Sequence, residues 1–101
     1  MLIEHRGKIP QIHPSAYVAP NAVVCGAVQV GANARILFGA VLTAEDGEIQ
    51  VGDRTVVMEN VLVRGGIVHV NTVLPPGEIV PIGWVAVGDP ASIPHHGDHL
   101  A

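Results

Sequence analysis

Ile12-His13-Pro14-Ser15-Ala16-Tyr17-Val18-Ala19-Pro20-Asn21-Ala22-Val23-Val24 opens the stretch whose reading decides the fold. Stepping by six from Ile12 meets Val18, Val24, Val30, Ile36 and Leu42, all aliphatic. Four residues after the first five stops stand Ala16, Ala22, Val28, Ala34 and Ala40, all small or β-branched. An α-helix repeats near 3.6 residues and a strand near 2, so a sustained period of six is neither. It describes a short flat strand plus a corner, and three such units close a triangular turn of about 18 residues. Stacked turns bring like residues into register and fill the interior with Val and Ile ladders.

Working outward, the phase slips at the polar stretch Thr43-Ala44-Glu45-Asp46-Gly47-Glu48 and resumes at Val51, Val57 and Val63. It slips again after Arg64-Gly65-Gly66, and the hexad predicts resumption at Ile67, Val73, Ile79 and Val85. The expected fold is all-β, a left-handed parallel β-helix of four to five turns. Its left-handed connections are an exception to the usual crossover rule. One domain is expected over 1–91, with the repeat array over 12–88 and an irregular tail over 92–101. Residues 1–10 are expected to lay a lead-in strand over the first turn.

Composition agrees. The chain has 101 residues, 49% hydrophobic and 14% charged, which excludes a disordered charged tail. Valine supplies 17 residues, while aromatics number three: Tyr17, Phe38 and Trp84. A ladder of small and β-branched side chains needs few large rings. The net charge of −4 gives no nucleic-acid footprint. No apolar run reaches the roughly 20 residues of a membrane span. The opening residues lack a secretory apolar stretch, and the single Cys25 has no internal disulfide partner, so the expected compartment is the cytoplasm. Cys25 has no local His or acid beside it and reads as an inert small residue.

The opening stretch resembles the γ-class carbonic anhydrase-like hexapeptide proteins. So do Ile36-Leu37-Phe38-Gly39-Ala40-Val41-Leu42, Glu59-Asn60-Val61-Leu62-Val63, Val73-Leu74-Pro75-Pro76-Gly77 and Val87-Gly88-Asp89-Pro90-Ala91. The resemblance covers about residues 12–91, and its Pro-Pro-Gly and Gly-Asp-Pro-Ala elements recur in hexapeptide acyltransferases. It implies a homotrimer. In active members it implies zinc held by three histidines from two chains, with a bound water of lowered pKa.

Several positions depart from that pattern. Arg64 stands where the resemblance places the first histidine, and a guanidinium cannot ligate zinc. The segment carrying the other two histidines has no counterpart, and the chain reads as shortened there. His69 is the nearest weak metal candidate, one residue out of step. The family's Arg-Gly-Asp reads Thr43-Ala44-Glu45, and its Gln-Asp before Asn reads Met58-Glu59.

The candidate site residues are therefore Arg64, Glu45, Glu59, Asn60 and His69. Arg64 is expected to pair with Glu45 or Glu59 of a neighbouring chain, or to hold a small anion such as bicarbonate. Paired carboxylates such as Glu45, Asp46 and Glu48 can do acid–base work, although a solvated loop needs no such role. His95, His96 and His99 have metal-binding composition without flanking structure to fix them. No resident cofactor is expected. The expected function is a non-catalytic binding or structural role as a homotrimer. The alternatives are a zinc-dependent carbonic anhydrase-type or other hydrolyase with an irregular interface site, and a hexapeptide acyltransferase.

Overall fold

Val, Ile and Leu at every sixth position favour extended backbone, and the polar residues between them bend the chain often. The computed structural model accordingly contains only short strands, fifteen of two to four residues, among the residues it describes, 1–45, 47–88 and 91–92. They stack into three sheets forming the faces of a triangular prism of about five turns. The five-stranded sheet contains β1 (Leu2–Ile3), β4 (Val23–Cys25), β7 (Val41–Thr43), β10 (Leu62–Val63) and β13 (Ile79–Val80). The four-stranded sheet contains β3 (Tyr17–Val18), β6 (Arg35–Ile36), β9 (Val56–Val57) and β12 (Val73–Leu74). The six-stranded sheet contains β2 (Gln11–Ile12), β5 (Val28–Val30), β8 (Ile49–Val51), β11 (Gly66–Val68), β14 (Val85–Gly88) and β15 (Ala91–Ser92). All pairings between these strands are parallel except β14 with β15, where the chain doubles back and covers the last rung. At the other end, β1 lies parallel to β4, with Leu2 over Val24, as expected of a lead-in strand.

Each turn sends two side chains per face inward. Ala22 and Val24, Ala34 and Ile36, Ala40 and Leu42, and Val61 and Val63 are at most 1% exposed. On the six-stranded face Ile12, Val30, Val51, Val68 and Ala86 stack in register, so successive turns take 18, 21, 17 and 18 residues. The three extra residues are the polar loop after β7. The turn with one residue fewer passes through Gly65 and Gly66.

That shortened turn corrects the expected phase. The inward residues of the fourth turn and beyond are Val68, Leu74, Val80 and Ala86, all buried. Ile67, Val73, Ile79 and Val85, one position earlier, face outward, and Ile67 and Ile79 are 37% and 54% exposed. The step from Val63 to Val68 is five residues, not the four that the hexad reading assumed.

The corners use left-handed backbone. Asn33, Arg54 and Asn71 have φ of 57–58° along the edge between the six- and four-stranded sheets. Asparagine tolerates this region better than most residues. Side chains then tie one rung to the next. Asp53 Oδ1 accepts from the Ala32 N–H at 2.9 Å, and Asn21 Oδ1 accepts from the Gly39 N–H at 2.9 Å. The two buried polar residues, Thr55 and Thr72, spend their hydroxyls on the His69 carbonyl and the Gly88 N–H. No helix in the described residues is long and apolar enough to cross a membrane.

Candidate functional site

A prism has three edges, and the five candidate residues are spread over all of them. Glu45 and Arg64 share the edge between the five- and six-stranded sheets. Arg64 follows β10 there, and Glu45 sits in the inserted loop with a φ of 38°. The guanidinium donates from Nε (3.2 Å) and Nη2 (3.0 Å) to one oxygen, Oε2, of Glu45. This pair lies within one chain, whereas the expected one joins Arg64 to Glu45 or Glu59 of a neighbouring chain. A notch of about 360 Å³ beside the pair is lined by Glu45, Glu48, Arg64 and several glycines.

The side chains of Arg64 and Glu45 are 48% and 44% exposed. Water screens such a pair, and exposed ion pairs contribute at most about 1 kcal/mol. Arg64→Ala, Glu45→Ala and the double variant are each expected to stay within about 1 kcal/mol of the parent in urea unfolding. A coupling clearly above that range would mean the pair is desolvated, for example by a second chain.

Glu59 and Asn60 occupy the next edge, between the four- and five-stranded sheets. Asn60 turns the corner with a φ of 60°, and its N–H donates to the Phe38 carbonyl at 3.2 Å. The Glu59 carbonyl accepts from Gly77 N–H at 2.9 Å. Both residues hold rungs together through the backbone. His69 lies on the third edge, between the six- and four-stranded sheets, with its imidazole exposed. Its N–H donates to the Ala86 carbonyl at 3.0 Å.

These placements bear on zinc. The ion needs about four N, O or S donors converging at a point. Among the described residues no three of His, Cys, Asp and Glu come together to hold a metal ion. Arg64 is donor-only. The described residues of one chain therefore do not fit a zinc centre. Asp46 and the histidines His95, His96 and His99 lie outside the described residues. Cys25 is half-buried and outward, in the column of Ile3 and Thr43.

The structure also brings together residues that the sequence reading passed over. On the six-stranded face, Gln11, Gln29 and Gln50 stand directly above one another on β2, β5 and β8. Beside them, in the next column, come His13, Gly31, Gly52 and His69. An open groove of about 770 Å³ runs along both columns. The glutamines are 18 and 21 residues apart, so the inserted loop conceals their periodicity.

Parallel three-faced coiling and a six-residue repeat define the class: a left-handed parallel β-helix built of hexapeptide repeats. No family model matches the chain. Gamma carbonic anhydrase 3, mitochondrial, of Arabidopsis thaliana is 35% identical over 88 residues, 87% of this chain and 31% of that protein. Gamma carbonic anhydrase 2, mitochondrial, of the same plant is 33% identical over 88 residues, 29% of its length. The curated relatives are thus γ-carbonic anhydrase-like proteins, and the chain spans about a third of their length. Among solved structures, a hexapeptide transferase family protein from Anaplasma phagocytophilum superposes with a TM-score of 0.61 at 22% identity, covering 94% of this chain and 83% of that one. PerB from Caulobacter crescentus, in complex with CoA and GDP-perosamine, superposes with a TM-score of 0.56 at 22% identity, covering 84% and 56%. At that identity the two structures carry the fold alone.

Proposed function

We propose that this chain is a non-catalytic γ-carbonic anhydrase-like protein with a binding or structural role as a homotrimer. One observation carries the reading. The position that the family resemblance assigns to the first zinc-binding imidazole holds Arg64, and its guanidinium is already engaged by Glu45. A permanent cation there repels a divalent ion as well as failing to ligate it. The spread of Glu59, Asn60 and His69 over the other two edges supports the same reading.

Trimerisation is supported by the outer faces. Val23, Val41, Leu62 and Ile79 form one apolar column on the five-stranded sheet. Phe38, 49% exposed, stands at its edge. Apolar columns of this kind mark contact surfaces, and a cyclic arrangement covers one on every copy.

The test is direct. The purified protein is loaded with zinc and dialysed, metal per chain is counted, and carbon dioxide hydration is assayed. The expected result is no retained zinc and no turnover above background, in a species sedimenting at three times the 10.5 kDa chain mass. Arg64→His is expected to leave activity at background, because one imidazole does not complete a site. The relatives' names favour the alternative, a carbonic anhydrase-type hydrolyase. One tight zinc per interface, with turnover lost in His69→Ala, would establish it and reject the present reading.

A further inference from the structure

We propose that the groove on the six-stranded face binds a neutral, linear, polyhydroxylated ligand, an extended β-linked oligosaccharide of about three residues. The site lies on a different edge from Arg64, and it does not depend on whether the chain is catalytic.

Hydrogen-bonding capacity is the first ground. Gln11, Gln29 and Gln50 are exposed and form one column. Gln11 makes one long hydrogen bond, Nε2 to the Ile9 carbonyl at 3.4 Å, and Gln29 and Gln50 make none within the described residues. Each amide offers two donors and a two-lone-pair acceptor. The face thus presents a row of unspent amides, which match hydroxyls that both donate and accept.

Charge narrows the class. Apart from its two histidines, the groove's lining holds one charged side chain, the Asp53 carboxylate, and one of its oxygens already accepts from Ala32 N–H. No Lys or Arg lines the groove to attract a phosphate or carboxylate.

Spacing narrows it further. Neighbouring strands lie about 4.8 Å apart, so the amides repeat at about that interval along the prism axis. This is close to the repeat of one pyranose ring in an extended β-linked glycan. An extended peptide alternates its groups on a different repeat and falls out of step after two rungs. From His13 on the first rung to His69 on the fourth is roughly 14 Å, about three sugar rings. Gly31 and Gly52 stand between the two imidazoles, with the Asp53 carboxylate packed against Gly31. On the fourth rung Ile67 takes the place of glutamine, 37% exposed, with Val70 beside it at 53%. This apolar end suits the C–H face of a ring.

The experiment is a titration of the protein with cellotriose and N,N′,N″-triacetylchitotriose, reading the side-chain amide resonances by NMR, with α-linked maltotriose as a bent control. Saturable shifts of Gln29 and Gln50 are expected with at least one linear trisaccharide, and weaker ones with maltotriose. Gln29→Ala/Gln50→Ala is expected to raise the dissociation constant at least about tenfold, with the thermal midpoint and solution mass unchanged. No saturable shift with either linear probe overturns the proposal. So does equal binding of maltotriose, or undiminished affinity in the double variant. A changed solution mass in that variant overturns it too, by assigning the face to contact between copies.

Discussion

Leu74→Asp is expected to remove a large part of this protein's stability, whereas Val73→Asp, one residue away, is expected to leave most of it intact. Leu74 is fully buried on the inner face of β12, the end strand of the four-stranded sheet, directly above Val57, itself fully buried. The core cluster around them is aliphatic, with the buried Thr55 and Thr72 in neighbouring slots and Trp84 packed against it. A carboxylate there finds no cation among the buried residues. It must either stay ionised in an apolar interior or take up a proton, and it also loses the leucine's packing. The combined cost is on the order of 4 kcal/mol or more. A domain of this size has about 5–15 kcal/mol in total. Val73 points the other way and is half-buried. Its replacement costs strand propensity and some outer contact, about 1 kcal/mol. Thermal or urea unfolding separates the two, with Val57→Asp expected to behave as Leu74→Asp does. If Val73→Asp proves the worse variant, the inward register of the last two turns is reversed.

That contrast also marks where the sequence stops being legible. Through the first three turns, outward neighbours of the inward aliphatics are often polar, such as Gln29 and Gln50, so one phase alone fits. In the fourth turn both phases fit, because Ile67-Val68, Val73-Leu74 and Ile79-Val80 are pairs of apolar residues. The small-residue rule then misleads. Gly77 and Gly83 fall four residues after Val73 and Ile79, but they serve as left-handed corners with φ of 74° and 81° rather than as inward slots. The inward slots are held by Thr72, Glu78 and Trp84, none of which looks like a solenoid interior residue. Thr72 is tolerated because its hydroxyl accepts from Gly88 N–H.

The candidate site was legible only in part. The Arg64–Glu45 pair follows from two charged residues one turn apart on the same edge. The scatter of Glu59, Asn60 and His69 over the other edges depends on turn lengths, which hexad counting alone does not fix once a loop of unknown path intervenes. The glutamine column was concealed for the same reason.

Gly66→Ala is expected to detach the last turn while the rest of the prism stays folded. Gly66 lies in β11, opposite Ile49 on one side and Trp84 on the other. Its φ is +103°, a conformation that side-chain-bearing residues rarely adopt. A Cβ placed there would stand 2.0 Å from the Trp84 carbonyl oxygen and 3.1 Å from the Trp84 carbonyl carbon and nitrogen. These are backbone atoms of the next rung, so no side-chain rotation relieves the clash. The Trp84 oxygen is also the acceptor for Ile67 N–H at 3.2 Å, so moving it breaks a rung-to-rung hydrogen bond.

Strain of this kind costs about 1–3 kcal/mol before the clash is counted. The fifth turn, held from one side and covered, among the described residues, by β15 alone, is where the chain can give way most cheaply. Trp84 is the chain's one tryptophan, and it packs against the core. Its emission is therefore expected to shift red in Gly66→Ala, at denaturant concentrations that leave the far-ultraviolet strand signal of the lower turns intact. Gly77→Ala is the control. Its φ of +74° imposes a similar left-handed strain, but nothing lies within 4 Å of the added carbon. It is expected to cost only about 1–2 kcal/mol and to leave Trp84 emission native. Equal behaviour of the two variants would mean that β14 does not approach β11 at Gly66, and that the glycine pair is not what permits the five-residue step from Val63 to Val68.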